Sequence, residues 1–143
     1  MKSISQILSS KTKPLTTVGS GDSVLTALQL LKERDIGAVL VLDNDKLAGI
    51  FTERDCVQKV SLKGLDTRTT PVREVMTEKV RFVTPDQTVT QCLGLMTERF
   101  FRHLPVLDKN QNLIGIVSIG DLVKEKISEQ DFTIEQLERY ITS

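Results

Sequence analysis

The sequence predicts a mixed α/β (α+β) fold in which one β-α-β-β-α unit is written twice within 143 residues. Three observations carry that prediction. The stretch "GIFTERD" at 49–55 returns 66 residues later as "GIVSIGD" at 115–121: a glycine, two apolar residues, a hydroxyl, two spacers and an aspartate. Aligning 18–43 with 83–108, and 47–55 with 113–121, gives thirteen identities in 35 positions. Average residue usage yields about two or three in a stretch of that length. Finally, each copy passes from helical to strand-like apolar patterning at matching places.

The elements follow in order. A short extended segment (Pro14–Val18; Val80–Val83) leads into an amphipathic helix. Val24, Ala27, Leu28 and Leu31 mark its apolar face in the first copy, and Val89, Cys92, Leu93 and Met96 in the second. Asp22 or Ser23, and Asp86 or Thr88, are the candidate N-caps. Two strands come next, Ala38–Leu42 and Leu47–Phe51, then Leu104–Leu107 and Leu113–Val117, each pair joined by a polar turn. The one inserted residue between the copies falls in that turn, "DNDK" against "DKNQN". A helix then opens at Thr52 or Ser118 and carries Asp55 or Asp121 in its first turn, where a helix N-terminus favours negative charge.

The chain divides into a first repeat with its N-terminal segment (1–61), a linker (62–71), a second repeat (72–129) and a tail helix (130–143). "PVREVM" reads as a short helix starting at Pro71, with "SISQIL" near the N-terminus as its counterpart. In the tail, Thr133 and Gln136 have capping-box spacing, and Ile134, Leu137 and Ile141 line one side. A repeat of about 60 residues is marginal alone, so the two are expected to share a core.

Composition narrows the function. Lys+Arg and Asp+Glu balance at 19 each, which argues against a general nucleic-acid binder, as does a single Tyr. No apolar run approaches a membrane span, and "MKSISQILSSK" is too short and polar for a signal peptide, so a cytoplasmic protein is expected. Cys56 and Cys92 form no disulfide framework or metal spacing. Cys92 aligns with Ala27 on a buried helix face, and Cys56 beside Asp55 is either a core thiol or an oxidant-sensitive one. With one histidine, no P-loop lysine after the glycines and no nucleophile elbow, an enzyme is not expected.

The repeated frame suits a nucleotide. A hydroxyl beside free helix amides can receive a phosphate. An aspartate three residues on can accept bonds from vicinal ribose hydroxyls. The competing account makes Thr52 and Ser118 plain caps and the aspartates partners of the helix dipole. Both copies keep the aspartate while Glu53/Ile119 and Arg54/Gly120 diverge, and that favours the ligand.

The segments "SVLTALQLLKERDIGAVLVLDNDKLAGIFTERD" and "TVTQCLGLMTERFFRHLPVLDKNQNLIGIVSIGD" resemble a tandem pair of CBS domains over about residues 3–129. "ERDCVQKVSLKGLDTRTTPVREVMT" and "SEQDFTIEQLERYI" look like the small stand-alone two-CBS proteins of bacteria and plant organelles. The resemblance implies two repeats packed as a pseudo-twofold disc that dimerises. It implies a regulatory, non-catalytic module that takes AMP, ADP or ATP, with NAD or S-adenosylmethionine as further candidates, in clefts between the repeats. By position the ribose aspartates are Asp55 and Asp121, with Thr52, Arg54 and Ser118 nearby. In several relatives each cleft also takes residues from the other repeat's first and second strands, by position Thr16, Thr17, Ala38 and Val39 for one cleft, and Phe82, Arg102 and His103 for the other. No catalytic cofactor is implied.

The copies differ where Arg102 and His103 replace Gly37 and Ala38, so the cleft they serve is expected to prefer more charged ligands. His103 as a plain strand-end residue is the competing account. No effector domain is read in these residues, so output is expected in trans, through an unidentified protein partner. The alternative is a ligand-free interaction module with degenerate clefts, served by the tail helix and an exposed Phe100–Phe101 pair.

Overall fold

Hydroxyl side chains open the helices. In the computed structural model, which describes residues 2–11, 13–99 and 101–142, Ser3 caps helix α1 (Ile4–Ser10) in a capping box with Gln6. Ser23 caps α2 (Val24–Arg34) by accepting from the Thr26 amide at 3.1 Å. Thr88 does the same for α4 (Val89–Arg99), accepting from the Gln91 amide at 3.2 Å. The caps are therefore Ser23 and Thr88; Asp22 instead turns back to the Gly19 amide at 2.8 Å.

The described chain forms two compact units, residues 13–81 and residues 82–143 with 1–12. In the first, β1 (Thr17–Gly19), β2 (Ala38–Asp43) and β3 (Lys46–Thr52) form a sheet with β2 central, parallel to β1 and antiparallel to β3. Asn44 and Asp45, both at positive φ, make the tight hairpin turn that two such residues favour. After β3 comes a single helical turn, α3 (Glu53–Asp55), which widens into π-helical backbone over Cys56–Ser61. In the second unit β4 (His103–Leu107) and β5 (Leu113–Ser118) pair antiparallel, and α5 (Ile119–Thr142) follows.

The expected extended segment at Val80–Val83 is not a strand. It contributes one parallel bridge, Val83 to Val106. Two prolines explain the loss. In the first unit the β1 segment is bracketed by bonds from the Leu40 amide to the Thr16 carbonyl and from the Ser20 amide to the Leu42 carbonyl. Pro105 and Pro85 stand at the positions of Leu40 and Ser20 in the second copy and have no amide hydrogen to give.

The units exchange their leading segments relative to the repeats. Ile4 and Ile7 of α1, ahead of the first repeat, lie in the second unit's core with Val83, Val89, Met96, Leu104 and Leu122. Val72 and Val75, ahead of the second repeat, lie in the first unit's core with Val24, Val39, Val41 and Phe51. The bonds match. The Ile4 and Ser5 amides donate to the Gln87 and Pro85 carbonyls, and the Val72 and Arg73 amides to those of Asp22 and Ser20. "PVREVM" is a turn of 3-10 helix (Val72–Glu74) and "SISQIL" a true α-helix. The compact units thus cut the chain differently from the division at 61 and 72.

The exchange also explains the repeated glycine. A Cβ on Gly49 would meet Met76 Sδ and the Thr77 carbonyl oxygen at 2.7 Å, and one on Gly115 would meet Leu8 Cδ2 at 2.6 Å. Each glycine is where the borrowed segment crosses a strand.

Two further expectations are corrected. The tail is no separate helix: α5 runs unbroken to Thr142, and Thr133 Oγ1 donates to the Glu129 carbonyl at 3.0 Å inside it instead of capping a new start. Phe101 is half-buried and packs against the second core, so it is no exposed docking residue; Phe100 lies outside the described residues.

Candidate functional site

The strand-to-helix corner of each repeat is a reciprocal capping box. In the first, Thr52 Oγ1 accepts from the Asp55 amide at 3.2 Å, and Asp55 Oδ2 accepts from the Thr52 amide at 3.0 Å. In the second, Ser118 Oγ accepts from the Asp121 amide at 3.1 Å, and Asp121 Oδ2 from the Ser118 amide at 2.8 Å. The hydroxyl–x–x–Asp spacing thus has a structural use in both copies, which satisfies two otherwise orphaned helix amides.

Other sequence-identified residues gather at these corners. Ala38 pairs across the sheet with Thr52, and Thr17 pairs with Leu40 two places along, which puts Thr16, Thr17, Ala38 and Thr52 at one end of the first sheet. Val39 is fully buried in the core, so its side chain is not available to a ligand. Arg54 is exposed on α3. In the second unit His103 pairs with Ser118, the Arg102 carbonyl accepts from the Ile119 amide at 2.8 Å, and the Arg102 side chain is exposed. Phe82, one residue before the Val83 bridge, is 46% exposed.

The two aspartates differ in what remains of them. Asp55 is saturated. Its Oδ2 takes the Thr52 amide and the Thr52 hydroxyl (3.1 Å); its Oδ1 takes Thr77 Oγ1 at 3.1 Å and Lys59 Nζ at 3.0 Å. Four donors fill what a carboxylate can accept, and its side chain is 10% exposed. Asp121 Oδ2 takes the Ser118 amide and Lys11 Nζ, the latter at 2.8 Å, and no donor among the described residues reaches Oδ1. Its side chain is 27% exposed.

Lys11 and Thr77 were not legible as site residues. Each comes from a borrowed segment: Lys11 follows α1 and also donates to the Ile116 carbonyl at 2.8 Å, while Thr77 follows Met76 and pairs its backbone with Ile50. The signal available was that both stand just past the matching stretches "SISQIL" and "PVREVM". Lys59, one turn further along the same helical stretch, is turned onto Asp55.

Burial alone would raise the Asp121 carboxyl, but the bond and charge of Lys11 and the bonds from Ser118 outweigh it and hold the group below the usual carboxylate value. Burial pushes the His103 imidazole below its ordinary 6.5, opposed by Asp121 and helped by Lys11 and Arg102. At neutral pH the corner therefore presents an ionised carboxylate beside a neutral imidazole and a guanidinium. Burial also pushes the Cys92 thiol up to about 11, which makes it an inert core residue. Cys56 is half-buried against the first core. Among the described residues no cluster of His, Cys, Asp or Glu is placed to hold a metal ion, and no helix is long and apolar enough to cross a membrane.

A CBS-domain model matches residues 4–62 and 72–128. The chain belongs to the CBS-domain family. CBS-domain proteins are in general regulatory rather than catalytic, and a CBS pair is a regulatory module. A similar curated relative is the CBS domain-containing protein CBSX3, mitochondrial, of Arabidopsis thaliana, 37% identical over 125 residues. The match takes in 84% of this chain and 60% of that protein, so this chain spans about three fifths of its length. Among solved structures, a putative signal-transduction protein with CBS domains from Burkholderia ambifaria MC40-6 is 48% identical, with a TM-score of 0.85 over 90% of this chain and 96% of that one. CBSX2 in complex with AMP is 26% identical, with a TM-score of 0.74 over 91% of this chain and 99% of that one. The CBS repeats explain the duplicated corner.

Proposed function

We propose that this CBS pair is a non-catalytic sensor that binds an adenine nucleotide through Asp121 and passes the occupancy to a protein partner in trans. The observation that carries the reading is the open Oδ1 of an otherwise anchored carboxylate. Ser118 and Lys11 fix Asp121 through Oδ2 and keep it ionised, leaving Oδ1 to accept from the vicinal hydroxyls of a ribose. Arg102 nearby suits a phosphate, and the exposed Phe82 ring suits the flat face of a base. The AMP complex of CBSX2 supports the ligand class. AMP, ADP and ATP are the first candidates and NAD the next, so the state sensed is energy charge or redox balance.

For the Asp55 corner a specific observation favours the alternative reading, a degenerate site kept for structure. All four acceptor positions of Asp55 are taken, so a ribose would have to displace Lys59, Thr77 or Thr52. A ligand shifts a regulatory equilibrium only by its difference in affinity for the two states. The partner is then whatever binds the occupied and empty modules unequally.

Calorimetric titration of the ligand-free protein with AMP, ADP, ATP, NAD and S-adenosylmethionine tests this reading. It predicts binding of at least one nucleotide at micromolar affinity. Silence from all five on folded protein would leave the interaction module as the function.

A further inference from the structure

Helix α5 becomes exposed part-way along. Leu122 is buried in the second core, Glu125 pairs with Lys2 Nζ at 3.3 Å, Glu129 accepts from the Lys2 amide at 2.9 Å, and Lys126 Nζ reaches Thr90 Oγ1 at 3.3 Å. From Gln130 to Ile141 every residue is exposed. A helical stretch that short gains little from propensity alone; in proteins a packed face supplies most of the stability.

The unpacked face is patterned. Val123, Ile127, Ile134, Leu137 and Ile141 are 41%, 53%, 54%, 57% and 79% exposed. With Gln130 they fall at alternating intervals of four and three, the spacing of a coiled-coil seam. Ile127, Ile134 and Ile141 take the a positions; Val123, Gln130 and Leu137 take d. Isoleucine at a with leucine at d favours two strands; here every a is isoleucine, while d holds valine, glutamine and leucine in turn. Lys126 and Asp131 flank it at g and e.

We propose that this seam pairs in parallel with α5 of a second copy of the chain. In parallel register Lys126 of each copy faces Asp131 of the other, and Gln130 meets its own equivalent, where two amides can bond. An antiparallel pair would bring Lys124 to Glu138, but it would set Asp131 against Asp131 and bury Gln130 against Ile134. The parallel pair is isologous and closes on itself as a dimer.

The test uses the whole chain. Sedimentation velocity gives the dimer's dissociation constant, and Ile134→Glu with Leu137→Glu is expected to weaken it by about tenfold or more. Gln130→Cys is expected to give a covalent dimer under mild oxidation, with the wild type as blank for Cys56 and Cys92. Far-ultraviolet circular dichroism shows that each variant is folded. A monomeric wild type, a dimer indifferent to the double substitution, or Gln130→Cys that crosslinks only when mixed with Ile134→Cys would each overturn the proposal.

Discussion

Lys11 Nζ and Asp121 Oδ2 lie 2.8 Å apart although 110 residues separate them in sequence. The pair ties the segment ahead of the first repeat to the corner of the second. Thr77 and Asp55 make the equivalent tie at 3.1 Å between the segment ahead of the second repeat and the corner of the first. A neutral hydroxyl stands in one place and a cation in the other. In the first corner the cation comes instead from Lys59, one turn along the same helix. That difference leaves one aspartate filled and the other half open.

Lys11→Met removes a partly buried, charge-assisted bond and is expected to lower stability by about 1–2 kcal/mol. Chemical denaturation measures the loss. Hydrogen exchange should quicken in α1 more than in α2, because α1 is the segment that Lys11 helps to anchor.

Asp55→Asn leaves Lys59 without its counter-charge and turns an acceptor toward it into an amide. The expected cost is about 2–3 kcal/mol. Asp121→Asn, with fewer bonds to lose, should cost about 1 kcal/mol less. Equal losses in urea melts would count against a structural role peculiar to Asp55.

Gly49→Ala and Gly115→Ala separate backbone from side-chain crowding. At Gly49 the obstacle includes the Thr77 carbonyl, which is held in a bridge with Ile50; at Gly115 it is the end of the Leu8 side chain. Overpacking against fixed backbone is expected to cost about 2–3 kcal/mol, against about 1 kcal/mol where Leu8 can turn aside. Thermal melts of the two variants give the order.

His103 sets an acid limit. Its folded value lies below its ordinary 6.5 because burial disfavours the charged ring. The unfolded chain therefore binds the proton first, so stability is full above 6.5 and falls as pH drops from there through the folded value. Asp121, also lowered, keeps its contribution until pH falls below the ordinary 3.8, so it does not interfere in that window. The melting temperature should decline between pH 7 and pH 5, and His103→Gln should flatten the decline.

Much of this was legible because it is periodic or repeated. Val24, Ala27 and Leu31, and their partners Val89, Cys92 and Met96, are buried as their spacing requires. The corner frame was visible because it occurs twice. Contacts made by exchange were not visible: nothing local says that Ile4 belongs with Val89, or Lys11 with Asp121. The lost strand at Val83 could have been read from Pro85 and Pro105, had the backbone bonds of the first copy been written onto the second. The break expected before Thr133 failed because capping-box spacing also occurs inside helices, where a threonine hydroxyl can bond the carbonyl four residues back.

The most direct test of the central claim is calorimetric titration of AMP and ATP into Asp121→Asn and Asp55→Asn, beside the wild type. The account predicts one nucleotide per chain in the wild type, none in Asp121→Asn, and one in Asp55→Asn that remains folded. Two nucleotides per chain, or binding that survives Asp121→Asn and vanishes with Asp55→Asn, would contradict it.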